Sequence, residues 1–166
     1  MLKIYDLNFQ QQGFLVDYLF NICHTLSFVI QNFNHAQNNN QNILMNDDGE
    51  YDSDCCLHNQ NTLNLIKELD LKIIRTYSSS RYGTPKYNYQ SKVFLVKTND
   101  KLKFFLSNHP FEDWRFPELP EDLIFYRNNN IWLETVTHEK IIWIHNESKE
   151  DIDFLNTHKI KFRYDN

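Results

Sequence analysis

Glycine is scarce in this chain, with three among 166 residues, and neither glycine-rich phosphate-binding pattern, GxGxxG or GxxxxGK[ST], occurs. Both patterns need glycine because it lets backbone N–H groups approach a phosphate closely. The nucleotide-binding loops that are recognisable in a sequence are therefore not expected here.

Clustered positive charge is also lacking. Lys and Arg number 17 against 22 Asp and Glu, the formal net charge is −5, and the basic residues are scattered along the chain. Because nucleic-acid binding depends on a concentrated basic surface that releases counterions from phosphates, we expect no nucleic-acid partner.

The three cysteines are an odd number, and two of them, Cys55 and Cys56, are adjacent, a spacing that rarely closes into a relaxed disulfide. No apolar run approaches the ~18 residues of a membrane span, and the opening MLKIYDLNFQQQ lacks the order of a signal peptide. These absences predict reduced thiols, a cytoplasmic location and no membrane association.

Periodic patterns predict one α+β domain over residues 1–166, with an aromatic-rich core because Phe, Tyr and Trp make up 15% of the chain. Asn8 and Gln11 have the spacing of a capping box before a helix over residues 9–24. A second helix is expected over residues 61–69, with Leu63, Ile66 and Leu69 as its apolar face. Residues of about 32–60 are rich in Asn and then acidic, which predicts an exposed loop.

The strands are expected to form a largely antiparallel sheet of about five to seven strands, accompanied by about three helices. A hairpin is predicted from residues 90–98 and 101–107, joined at Asn99-Asp100. A second hairpin joins residues 123–126 and 131–136 through Asn128, Asn129 and Asn130, since Asn tolerates the positive φ of tight turns. Residues 140–145 supply its third strand, and Ser148 with Asp151 marks a last helix.

The segment from Glu112 to His145, EDWRFPELPEDLIFYRNNNIWLETVTHEKIIWIH, resembles a set of small bacterial proteins of unassigned function. They share a Pro-Asp/Glu-Leu-Pro-Glu-Asp-Leu stretch (here residues 117–123), a strand containing tryptophan (Trp132) and a His-Glu pair (His138-Glu139). The resemblance implies an α+β fold and a bacterial origin, and it brings no activity with it.

Several residues suggest chemistry, but each has a structural explanation that we favour. His138 and Glu139 could be a base and its orienting carboxylate, yet neighbours on a strand point to opposite faces and a catalytic pair needs mutual reach. Cys55, Cys56 and His58 lack the paired spacing of a zinc site, and the acidic DDGEYDSD departs from the calcium-loop pattern. Cys23-His24 leaves a Cys–His hydrolase open, because such partners need only meet in space. We predict no catalytic set, metal or cofactor.

The stretch FEDWRFPELPED carries five acids against one Arg, mixed with aromatic side chains and stiffened by proline. Acids can steer a basic partner, while Trp and Arg act as anchors. The predicted partner-binding residues are Glu112, Asp113, Trp114, Arg115, Glu118, Glu121 and Asp122. The alternative is a structural lid in which Trp114 belongs to the core.

The sequence therefore favours a non-enzymatic protein that binds another macromolecule, namely an immunity or antitoxin-type inhibitor that neutralises a basic bacterial toxin domain. One alternative is a small hydrolase-like enzyme using His138 and Glu139 or a Cys–His pair. Another is a structural or regulatory partner in an unidentified process. The oligomeric state does not follow from the sequence.

Overall fold

The computed structural model describes residues 1–30, 53–79, 91–114 and 118–165, and within the second helix it describes side chains from residue 60 onward. The helices are α1 (Phe9–Ile22), α2 (Ser53–Glu68), α3 (Asp100–Asn108) and α4 (Lys149–Thr157). The strands are β1 (Leu2–Ile4), β2 (Thr25–Ile30), β3 (Ile73–Ser79), β4 (Ser91–Lys97), β5 (Glu121–Arg127), β6 (Asn130–Val136), β7 (Ile141–Ile144) and β8 (Phe162–Tyr164). Single 3₁₀ turns occur at Phe111–Asp113 and Thr137–Glu139.

All eight strands form one antiparallel sheet in the order β3-β4-β2-β5-β6-β7-β1-β8. The α+β class and the antiparallel sheet are thus confirmed, although eight strands and four helices exceed the predicted numbers. The additional strand β1 lies between β7 and β8, but its three residues are too few to show a pattern in the sequence.

The main hydrophobic cluster lies on one face of this sheet. Strand register places six buried apolar side chains side by side in one row across it: Val96, Leu26, Phe125, Leu133, Ile144 and Leu2. Buried residues of all four helices belong to the same cluster, among them Leu15 of α1 and Leu155 of α4. The helices therefore pack on this face, where burial of apolar surface supplies the main driving force for folding.

Local signals set the helix starts and the hairpin turn. The capping boxes at Asn8 and Ser148 are both formed, which confirms the predicted starts of α1 and α4. Asn128 and Asn129 have φ of 53° and 65° between β5 and β6, as a two-residue hairpin turn requires. The predicted three-stranded meander from residues 123 to 145 is confirmed.

Residues 101–107 were predicted as a strand, and this prediction is wrong. The Asn99 side chain accepts a hydrogen bond from the Leu102 N–H (2.8 Å) and caps helix α3. Leu102 and Leu106 are buried one helical turn apart, whereas Phe104, which alternates with Leu102, is 74% exposed. Strand β4 instead pairs with β2 and β3.

The predicted loop over residues 32–60 needs a correction, because helix α2 already begins at Ser53. Residues 32–52 lie outside the described part of the chain. The buried side of α2 also differs from the prediction: Thr62 and Leu65 are buried, while Leu63 is 53% exposed. Leu69, which follows the last residue of α2, is buried as predicted.

No helix in the described part of the chain is long and apolar enough to cross a membrane.

Candidate functional site: an acidic turn beside a cleft

The acidic 3₁₀ turn at Phe111–Asp113 is held by the buried side chain of Gln12 from helix α1. The Phe111 N–H donates to Gln12 Oε1 at 2.8 Å. Gln12 Nε2 in turn donates to the carbonyl oxygens of Leu106 (3.0 Å) and His109 (2.8 Å). One amide therefore fixes the end of α3 and the start of the turn, because it satisfies three backbone groups at once.

Two aromatic side chains anchor the same turn in the core. Phe111 is 4% exposed and Trp114 is fully buried. The Trp114 ring meets Phe105 edge to face, with centroids 5.7 Å apart. Trp114, which we predicted as an interface anchor, is thus a core residue in this structure, as the lid alternative required.

Of the remaining predicted partner-binding residues in the described part of the chain, three are exposed and two are buried. Glu112, Asp113 and Glu118 are exposed. Glu121 and Asp122, at the start of β5, are 7% and 5% exposed, and the Asp122 carboxylate accepts a hydrogen bond from the Thr137 N–H at 3.1 Å. These two carboxylates are therefore part of the interior, which corrects the prediction, and Arg115 lies outside the described residues.

His138 and Glu139 occupy the second 3₁₀ turn, and they do not lie on a strand as expected. Their side chains are 59% and 56% exposed, with His138 Nε2 3.7 Å from Glu139 Oε1. The next residue, Lys140, has φ of 54°, and its Nζ lies 3.4 Å from Glu112 Oε2 on the acidic turn. The two turns are thus joined by an exposed ion pair, which contributes little stability because solvent screens it.

A cleft of about 640 Å³ lies between these two turns and the corner that joins β1 to α1. Three carboxylates line it, those of Asp6, Glu112 and Glu139. It is also lined by three aromatic residues: Tyr5 and Phe9, which are 41% and 55% exposed, and the buried Phe111. Its volume is in the range of roughly 300–1,000 Å³ that is typical of ligand sites.

Two lysines also line the cleft, and both have partners. Lys140 pairs with Glu112, while the Lys3 ammonium lies 5.3 Å from the centre of the Trp143 ring. The carboxylate of Asp6 is 3.2 Å from Lys161. Glu139 has the weakest counter-charge of the three carboxylates, because its ion-pair partner is an imidazole that is charged only when protonated.

A buried charge with several hydrogen bonds lies elsewhere, at the start of α4. The fully buried Asp151 accepts hydrogen bonds from Tyr18 Oη (2.7 Å), Arg127 Nη1 (2.9 Å), Trp132 Nε1 (3.2 Å) and the Ser148 N–H (2.7 Å). Burial favours a higher pKa, but these hydrogen bonds together outweigh it and hold the pKa of Asp151 below its ordinary value. The sequence showed Asp151 only as a capping residue, and no local signal joins it to residues 133 positions away.

Cys23 and His24 do not meet as a nucleophile and its base. Cys23 is fully buried and His24 is exposed. Burial raises the pKa of the Cys23 thiol to about 12, so the reactive thiolate is not populated near neutral pH. The side chains of Cys55, Cys56 and His58 lie outside the described residues, as does most of the acidic DDGEYDSD stretch.

Within the described ranges, no three His, Cys, Asp or Glu side chains are grouped so that they could hold a metal ion. No protein-family model, curated protein or solved structure matches the chain.

Proposed function

We propose that this protein binds a basic protein partner in the cytoplasm, as an immunity or antitoxin-type inhibitor that neutralises a bacterial toxin and has no catalytic activity of its own. The observation that carries the proposal is that Glu112 and Asp113 are exposed on a turn whose start is held by buried contacts. Their turn is held by Gln12 and by two buried aromatic anchors, Phe111 and Trp114.

A fixed turn is suited to recognition because its conformational entropy is already lost before the partner arrives. Exposed carboxylates add little to the stability of the fold, but they raise the rate of encounter with a positively charged surface. The net charge of −5 acts in the same direction at longer range. These features support a binding role and require no reaction.

The hydrolase alternative has less support. It requires a nucleophile and a base within hydrogen-bonding reach, whereas His138 and Glu139 are solvent-exposed on a turn and Cys23 is buried away from the exposed His24. Neither pair brings a nucleophile and a general base together.

The proposal is tested by reversing the charge of the turn. The double variant Glu112→Lys/Asp113→Lys is compared with Asp153→Lys/Asp165→Lys, which makes the same change in net charge at two exposed acids away from the turn. The two double variants and the wild type are each used to capture partners from extracts of the source organism. We expect a basic protein that binds the wild type and the control but not the turn variant.

The captured protein is then studied in two ways. Its association rate should fall by about tenfold with the turn variant at low salt and depend less on ionic strength. Its expression in cells should be toxic, and co-expression of the wild type should relieve the toxicity. A partner that binds the turn variant as fast as the wild type would refute the proposed surface, and a harmless partner would refute the inhibitor role.

A further inference from the structure

The cleft beside the acidic turn has features that the proposed function does not use. Two of its lining residues, Tyr5 and Phe9, expose large aromatic side chains to solvent at 41% and 55%. Exposed aromatic side chains that line a concave site often mark a binding surface. The cleft also has carboxylates on separate chain segments, at Asp6, Glu112 and Glu139.

We propose that this cleft receives an arginine side chain of the basic partner, an inference that rests on the proposed function. A guanidinium group stacks on aromatic faces and also forms paired hydrogen bonds with carboxylates. The cleft offers both kinds of group, and its apolar walls, which include Ile4 and Ile142, suit the methylene stem of the side chain.

Glu139 is the carboxylate that an arriving guanidinium meets most readily. The carboxylates of Asp6 and Glu112 already have lysine partners at 3.2 Å and 3.4 Å, whereas Glu139 lies 3.7 Å from an imidazole. The Lys140–Glu112 pair is itself exposed, with side-chain exposures of 71% and 57%. Little stability is therefore lost when a guanidinium replaces the Lys140 ammonium at Glu112.

Lysine fits the cleft less well. Its ammonium is strongly hydrated and acts as a point charge, so it loses more on leaving water and cannot bridge a carboxylate in two places. The cleft should therefore prefer arginine over lysine, and this preference distinguishes a formed site from general attraction to acidic groups.

The test uses blocked peptides as probes of the partner side chain. Acetyl-Gly-Arg-Gly-amide and acetyl-Gly-Lys-Gly-amide are titrated into the ¹⁵N-labelled full chain, and backbone amide shifts are followed by NMR. We expect the arginine peptide to shift amides at Tyr5, Phe9 and Glu139 with a dissociation constant on the order of 1 mM, because a single side chain buries little surface. The lysine peptide should bind several-fold more weakly.

Two variants examine the groups that carry the proposal, each with a matched control. Glu139→Gln should weaken binding of the arginine peptide about three- to tenfold, whereas Glu68→Gln, at an exposed carboxylate that does not line the cleft, should not. Tyr5→Ala should also weaken binding, while Tyr164→Ala, which removes another exposed ring, should not. Equal effects of test and control variants would overturn the proposal.

n-Butylguanidinium, a free guanidinium compound with the same single charge as the arginine side chain, distinguishes a side-chain site from a small-molecule site. Binding of the arginine peptide at least as tight as that of n-butylguanidinium supports a protein side chain as the occupant. Binding of n-butylguanidinium with exclusion of the peptide, or no binding of either, overturns it. If the probes do not bind but the acidic turn still captures a partner, only the proposed arginine site in the cleft is refuted. Probe binding without a captured partner refutes the proposed function.

Discussion

At the residue scale, Asp151 is a fully buried side chain that accepts four hydrogen bonds. It joins α1 through Tyr18, β5 through Arg127 and β6 through Trp132. A buried carboxylate is tolerated only when hydrogen bonds replace its lost hydration, and here four donors do so. Removing the Asp151 carboxylate would leave the Arg127 guanidinium partly buried without its ion-pair partner.

We predict that Asp151→Asn lowers the free energy of unfolding at pH 7 by about 3 kcal/mol, because it breaks a buried ion pair on one side. Urea unfolding followed by tryptophan fluorescence measures this loss. Asp153→Asn on the same helix, at an exposed position, is the control and should change the free energy by less than about 0.5 kcal/mol. A similar loss in both variants would contradict the role of the network.

The same residue predicts how stability depends on pH. In the folded protein the pKa of Asp151 lies below its ordinary value of 3.8. The carboxylate therefore stabilises the fold above its pKa in the unfolded state, and this stabilisation is lost as the pH falls through its pKa in the folded state. The difference in unfolding free energy between the wild type and Asp151→Asn should therefore shrink as pH falls below about 4. A difference that stays constant from pH 7 to pH 3 would show that the carboxylate charge is unimportant.

At the element scale, Asn99 connects the start of helix α3 to the chain just after helix α2. The sequence predicted a helix for the second of these segments and a strand for the first. The Asn99 side-chain oxygen caps α3, and its Nδ2 donates to the carbonyl oxygens of Leu69 (2.9 Å) and Asp70 (3.2 Å) just after α2. The sequence pattern of residues 101–107 also fits a strand, since Leu102 and Phe104 alternate with polar residues. The Asn99 cap and the core contacts of Leu102 and Leu106 favour the helix over the strand.

We expect Asn99→Ala to lower the free energy of unfolding by about 1–2 kcal/mol, because one substitution removes both the cap and the link to α2. Asn108→Ala at the other end of α3 is the control, since its exposed side chain donates to the Phe104 carbonyl of the same helix (2.7 Å). Denaturant midpoints measure both. A smaller loss for Asn99→Ala than for Asn108→Ala would contradict the assigned cap.

At the scale of the whole molecule, one hydrophobic cluster connects the sheet and all four helices. A chain of 166 residues is long enough for burial of this kind to stabilise it. The two buried tryptophans, Trp114 and Trp132, belong to that cluster, and Trp132 also donates to Asp151. The fold should therefore depend on packing across its full extent.

We predict that neither dithiothreitol nor EDTA shifts the thermal midpoint by more than about 2 °C, because apolar packing provides the stability. Calorimetric scans of the full chain with and without each reagent make the measurement. A fall of more than about 5 °C, roughly 1.5–2 kcal/mol for a chain of this size, would reveal a disulfide or a bound metal.

Much of the architecture was determined by the sequence itself. The capping boxes at Asn8 and Ser148, the Asn128-Asn129 turn and the β5–β6–β7 meander all depend on residues close together in the chain. Local hydrogen bonds and side-chain periodicity are encoded over a few residues, and so they can be predicted from the sequence.

Only the tertiary structure decided which polar and aromatic residues lie inside. Trp114, Glu121 and Asp122 share an acidic, aromatic stretch with the exposed Glu112 and Asp113, and composition alone does not separate the two groups. Asp151 has its role because Tyr18 and Arg127 reach it from elements distant in sequence. Burial and long-range pairing depend on how the elements pack, and no local pattern contains that information.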